Sequence, residues 1–365
     1  MRTHIKRYID PVPKYRYFVA PSGNNSNDGR SPREAWLTMQ YAADTMPANC
    51  NAVVLPGTYA ETPITFSHDN QRFFAQGPAS ITGRLNISGD YNILNGFKIT
   101  APADYVAIQT TGDGNLIENN DISNTLEDGF NLFGSNNIIR RNYIHDLTTD
   151  VDAHSDFFYT SGPLSNFIFE RNLCVSLETT GIRQICMIES PGGVVDSLTI
   201  RNNIFVMAIP GDSRMSIHRH VETGEQVISN ITIVNNTFYH VAAVWQDMGR
   251  ECVWVGDITT LVAKNNLIVN YGDSTHGYYL SHGTTSADVD YNCVYKITGS
   301  DPMGGPFAHD VWMIDPEVVS LASRDFHLQT TSPCKNVGAT GLGALADYDG
   351  VVRDATPDIG AYEFV

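Results

Sequence analysis

One short phrase constrains this chain more than any other feature: an apolar residue, two of any kind, an Asn, one of any kind, and a second apolar residue. It runs from Ile117 through Asn120 to Ile122, and again from Ile139 through Asn142 to Ile144. Further copies pass through Asn172, Asn203, Asn236 and Asn266. A last one reaches Asn292, and a first one starts at Ile93 with Gly96 in the Asn position. From Gly96 onward the intervals are 24, 22, 30, 31, 33, 30 and 26 residues. A period of this size predicts a solenoid, in which each turn buries its apolar face only against its neighbours.

A solenoid grows by adding turns, so 365 residues need no second core. The expected organisation is residues 1–60 as an N-terminal cap with the first strands, 61–300 as the coil, and 301–365 as C-terminal turns and cap. Two residues before each Asn stand Glu118, Arg140, Glu170, Arg201, Val234, Lys264 and Asp290. Strand alternation sends this column outward. Turns stacked about 4.8 Å apart make it a ladder of largely alternating charge. The Asn column reads as a stacked amide ladder at a turn, where Asn tolerates left-handed backbone. Both columns are scaffold.

A second strand family follows each Asn strand after a loop of variable length. Placing Phe130, Phe157, Cys186, Ile217 and Val253 inside sends Asn131, Phe158, Met187, His218 and Trp254 outward in one column. Phe133, Thr160, Glu189, His220 and Gly256 form the next. A slip of one residue would exchange the faces.

The composition, 42% hydrophobic and 17% charged, is that of a globular chain. A net charge of −17 argues against nucleic acid or an anionic membrane surface as a partner. No run of about 18 apolar residues is present to cross a membrane. Residues 1–17 are basic but lack the apolar core of a secretory signal. The expectation is a secreted, cell-surface or virion-associated monomer, whose signal was removed or which leaves the cell by another route. Cys174, Cys186 and Cys252 fall at apolar repeat positions, so free core cysteines are expected rather than a disulfide framework.

Residues 18–24, 27–29, the helical run near Trp36 to Ala43, and residues 55–59 resemble the opening of many right-handed parallel β-helix proteins. Residues 326–339, 347–353 and 357–364 resemble the C-terminal turn of secreted or surface members, including relatives of alginate lyases and chondroitinase B. The resemblance is to the pectate-lyase-like superfamily. It implies an all-β, right-handed parallel β-helix with an N-terminal helical cap and a C-terminal capping segment.

The longest intervals mark where the chain spends extra residues, and loops on a rigid scaffold are where sites are built. These loops, 148–155, 178–184, 210–215 and 245–251, and their adjoining strands gather Asp150, Asp152, His154, Asp156, Arg183, Glu189, Arg214, His218, Arg219, His220, Asp247 and Arg250. Such a mixture suits β-elimination from a uronate polymer, which needs a neutralised carboxylate, a base for the C5 proton, and an acid for the leaving oxygen.

Arg214, Arg183 and Arg250 could grip the carboxylate, and His154 or His218 could be the base. Calcium on Asp150, Asp152 and Asp156 could neutralise instead. Asp152, Asp156 and Arg250 complete the catalytic candidates. Glu189, His220, Trp254 and Phe158 join Arg183 as substrate-binding candidates, the two aromatics as faces for sugar rings. Asp152 and His154, with Ala153 between them, resemble the Asp-Pro-His active-site motif of mannuronan epimerases, which implies the same proton abstraction.

Beside a polysaccharide lyase, or the C5-epimerase that the last motif implies, two alternatives stand. One is a glycoside hydrolase with Asp156 and Glu189 as paired carboxylates, about 5–5.5 Å apart for retention. The other is a non-catalytic carbohydrate-binding or viral fibre β-helix.

Overall fold

A computed structural model describes residues 15–147, 154–177, 182–208, 214–219, 224–241, 252–270, 278–280, 283–296 and 306–365. Each sequence period becomes short strands that hydrogen-bond to the same strands of the turns before and after. Three parallel sheets result, of 12, 9 and 11 strands among the described residues. The 12-stranded sheet runs from Arg16–Val19 to Ser286–Asp290, and the 11-stranded sheet from Gly57–Tyr59 to Val311–Trp312. The 9-stranded sheet runs from Ile64–Phe66 to Tyr278–Leu280. The chain is a parallel β-helix, and its interior is one continuous stack of apolar side chains, among them Phe130, Phe158, Phe169, Phe205 and Phe238.

The Asn ladder is real and it holds successive turns in register. Asn120 N–H donates to Asn142 Oδ1 at 3.0 Å, Asn142 to Asn172 at 2.9 Å, and Asn172 to Asn203 at 2.9 Å. The series continues through Asn236, Asn266 and Asn292 and ends on Asp310. Each ladder Asn is buried and completely engaged. Asn172 Nδ2, for example, also donates to Ile139 O and Asn203 Oδ1.

Two details differ from the sequence expectation. The left-handed backbone belongs to the residue before the ladder Asn, with φ of 57° at Asn119, 55° at Arg141, 56° at Arg171 and 53° at Asn202. In the first copy Gly96 takes that corner with φ 86°, and Phe97 takes the ladder place, its N–H donating to Asn120 Oδ1. A second ladder, Gln71, Asn92, Asn115 and Asn137, ties earlier turns together by the same side-chain-to-backbone bond.

Asn172→Ala removes two donated and two accepted hydrogen bonds inside the coil. Stranding those buried partners should cost about 2–4 kcal/mol, read as a lowered urea midpoint at unchanged slope.

The outward charge column also forms. Arg140 Nε meets Glu118 at 2.6 Å and Arg201 Nη2 meets Glu170 at 2.7 Å, while Lys264 turns to Asp288 at 2.8 Å. All six cysteines are buried and none is in a disulfide, as the apolar repeat positions of Cys174, Cys186 and Cys252 predict.

Near the N-terminus the helix Met39–Thr45 buries Met39, Ala42 and Ala43. Its Gln40 side chain bonds both the N–H and the C=O of Thr65, in the first strand of the 9-stranded sheet. An edge strand thereby has its free backbone groups satisfied.

At the other end, outward positions of the 11-stranded sheet turn apolar from Leu173 onward, at Ile204, Val206, Tyr239, Leu267 and Val269. The C-terminal segment covers them with Val318, Phe326, Leu328, Ile359 and Tyr362. The same segment is pinned to the left-handed corner residues. Asn265 exchanges two hydrogen bonds with Ala339, Asn202 donates to Ala346 O, and Arg353 reaches Asn202 and Glu363.

Candidate functional site

The outward face of the 9-stranded sheet is set by strand alternation and by its register. Asn131 pairs with Tyr159, Tyr159 with Met187, Met187 with Ser216, and Ser216 with Trp254. These residues form one outward column, beside inward Phe130, Phe158, Cys186, Met215 and Val253.

Two expectations are corrected by this register. Phe158 does not offer a face to sugar: it is 1% exposed and packs on Phe169 at 4.4 Å. Phe157 and Phe158 are both apolar and both buried, so a period-two pattern could not tell which leads the strand. His218 does not stand level with Trp254. Ser216 takes that place, and His218 falls one position on, opposite Gly256.

That shift assembles the site. His218 Nε2 lies 3.5 Å from Glu189 Oε1 on the preceding turn. Its Nδ1 is 3.2 Å from Ser216 Oγ, on its own strand. Its ring stacks on Trp254 at 4.6 Å, and the Arg214 guanidinium sits 4.5 Å from the same indole. One turn back, Tyr159 Oη donates to Glu189 Oε2 at 3.5 Å.

Tyr159 is held protonated: burial raises its pKa above the usual phenol value, and the Glu189 charge adds to this. Ser216 is 1% exposed, so it orients His218 rather than attacking substrate itself. The arrangement therefore joins an imidazole, a phenol, a carboxylate and a guanidinium across three consecutive turns.

Asp150, Asp152, His220, Asp247 and Arg250 fall outside the described residues, as do the side chains of His154 and Arg183. Asp156 is buried, 1% exposed, and its N–H donates to Asp128 Oδ1 at 3.0 Å. It pairs in register with Gln184, five residues before Glu189 along that strand. Five residues of strand span about 16 Å, so the expected Asp156–Glu189 carboxylate pair does not form.

Burial also makes Asp156 a poor calcium ligand for an open groove. No group of three His, Cys, Asp or Glu side chains converges among the described residues. Asp150 and Asp152, the other two residues of the expected calcium set, lie outside the described residues.

Tyr159 and Ser216 were missed in the sequence. The signal for Tyr159 was there: Phe158, Tyr159 and Thr160 alternate as Phe130, Asn131 and Leu132 do. Asp128 was missed as well. Burial raises its carboxyl to about 8, with the Glu127 charge adding to this and the hydrogen bond from the Asp156 N–H opposing it.

No family model matches the sequence, and no curated protein matches it. Solved structures do. Pectate lyase Pel9A superposes with a TM-score of 0.58 at 17% identity, covering 97% of each chain. A rhamnogalacturonan lyase gives 0.54 at 12% identity, covering 94% of this chain and 95% of its own. An alginate lyase from Paenibacillus sp. str. FPU-7 gives 0.44 at 17% identity, covering 75% of this chain and 98% of its own. Among the described residues no helix is long and apolar enough to cross a membrane. The chain is a parallel β-helix of the architecture shared by pectate lyase and rhamnogalacturonan lyase.

Proposed function

We propose that this protein cleaves an acidic, uronate-containing polysaccharide by β-elimination on the outer face of its 9-stranded sheet. The observation that carries the reading is the convergence of Tyr159, Glu189, His218, Ser216, Trp254 and Arg214 on the outward side of one sheet. With Glu189 Oε1 accepting from Nε2–H, the lone pair of His218 is on Nδ1, beside the Ser216 hydroxyl. That nitrogen takes the C5 proton, and Glu189 stabilises the imidazolium that forms. The electron pair closes the C4=C5 bond, the C4–O bond breaks, and Tyr159 gives its proton to the leaving oxygen. Arg214 pairs with the uronate carboxylate, which makes the C5 proton more acidic.

The site is built from one chain, so a monomer suffices, and a polymeric substrate places the work outside the cell, at a surface or on a virion. In the same reading the helix Met39–Thr45 and the C-terminal segment serve as the caps of the coil.

The similarity in fold to two polysaccharide lyases supports the class of substrate. The test is a panel of uronate polymers followed by far-ultraviolet absorbance, which the unsaturated product shows and a hydrolysis product does not. New absorbance is expected with at least one polymer, and it should survive dialysis against EDTA because Arg214 does the neutralising. Loss that calcium restores would give that role to a metal, and no absorbance with any polymer would sink the lyase reading.

A further inference from the structure

Upstream of Tyr159 the same outward column continues through Asn131, Gln109, Asn86 and Thr65, all amide or hydroxyl side chains in register from turn to turn. Arg84, immediately before the strand Leu85–Ile87, lies over this row. Its Nε donates to Asn86 Oδ1 at 2.8 Å and its Nη2 donates to Gln109 Oε1.

The contrast with the coil's scaffold arginines is informative. Arg140 and Arg201 are each neutralised by a Glu of a neighbouring turn. Arg84 is held by two neutral amides, and no carboxylate lies within ion-pair distance of it among the described residues. It thus keeps its full positive charge, fixed in direction, on a protein whose net charge is −17. One turn beyond Gln109, Asn131 Oδ1 has no hydrogen-bond partner although the atom is out of contact with solvent. The half-buried Asn131 side chain extends the polar row by one turn.

We infer that Arg84, Gln109 and Asn131 form a distal subsite that binds a uronate unit of the acidic polysaccharide, its carboxylate on Arg84 and its hydroxyls on the two amides. The inference rests on the acidic-polysaccharide reading of this face. From Arg84 to Tyr159 is three turns, about 14 Å at 4.8 Å per turn. One chain occupying both ends must therefore be several sugars long, so the subsite would make the protein select long oligomers over short ones.

The test is calorimetric titration of the full chain with hexamers and dimers of galacturonate and of mannuronate, which reads binding whether or not turnover occurs. Wild type should prefer one hexamer over its dimer. Arg84→Gln removes the charge and should cut hexamer affinity about tenfold or more, the scale of a lost charge-assisted hydrogen bond, shrinking the hexamer preference by the same factor. Asn131→Asp adds a like charge beside the ligand and should weaken the same hexamer. Thermal unfolding near the wild-type value in either variant shows that the fold is kept.

Unchanged hexamer affinity in both variants, or no binding of any of the four probes to wild type, overturns the subsite. Binding that depends on Arg84 without any elimination product would keep the subsite and remove the lyase. Elimination with Arg84-independent binding would do the reverse.

Discussion

Changing His218 to Ala is expected to lower kcat on the responsive polymer by about 10²–10⁴-fold, the usual range for losing a positioned proton-transfer group. The reason is geometric. His218 touches Glu189, Ser216 and Trp254 at 3.5, 3.2 and 4.6 Å, on the outward side of the 9-stranded sheet. His145 is engaged by Asp121 and Asp146, His309 by Asp290, and His327 by Asp325 and Asp349, all away from the groove sheet.

The variant should unfold near the wild-type temperature, because its neighbours in the coil core are untouched. Added imidazole should return part of the rate, which a merely structural loss would not allow. Full activity in the His218→Ala protein would move the base to another residue.

The second large effect is on stability. Asp128→Asn should stabilise the protein at alkaline pH and do little near pH 4. Asp128 is 7% exposed, and two carboxylates lie near it, Glu127 immediately before its strand and Asp156 one turn on. Its carboxyl holds a proton to about 8 in the folded chain against 3.8 as a free group.

Between those values the folded state binds more protons than the unfolded state, so stability falls as pH rises through that window and levels off above it. At 1.36 kcal/mol per unit the full penalty is on the order of 5 kcal/mol. The Asn side chain keeps an oxygen for the Asp156 N–H and has no proton to lose. Urea unfolding of both proteins at pH 4 and pH 9 reads the difference: an advantage for the variant that grows with pH is expected. An advantage independent of pH, or a loss at pH 9, would show that Asp128 is not held protonated.

These residues also show what a sequence of this kind makes legible. The Asn repeat was readable because each turn must present the same side chain to the next, so Asn120, Asn142 and Asn172 recur without exception once the ladder begins. Its first copy was misplaced by one, since Phe97 carries no amide to mark the position. The face of each groove strand followed from alternation, and Glu189, His218 and Trp254 do lie outward.

Alternation fixes a face, however, and not a level along the strand. Met215 and Ile217 are both apolar and both inside, so nothing in the sequence said which opposes Val253. Tandem apolar residues defeat even the face, as Phe157 and Phe158 show. Long loops drew attention to Asp156, whose burial and register take it away from Glu189. Arg84 and Gln109 went unnoticed because they sit in the short early turns, where no extra residues mark a site.

The most direct measurement is mass spectrometry of the products formed from one defined oligomer of whichever uronate polymer responds. Elimination breaks the chain without taking up water, so the two product masses should sum to that of the substrate, and the His218→Ala protein should give neither product. Products whose masses sum to the substrate plus one water would contradict elimination and make the reaction a hydrolysis.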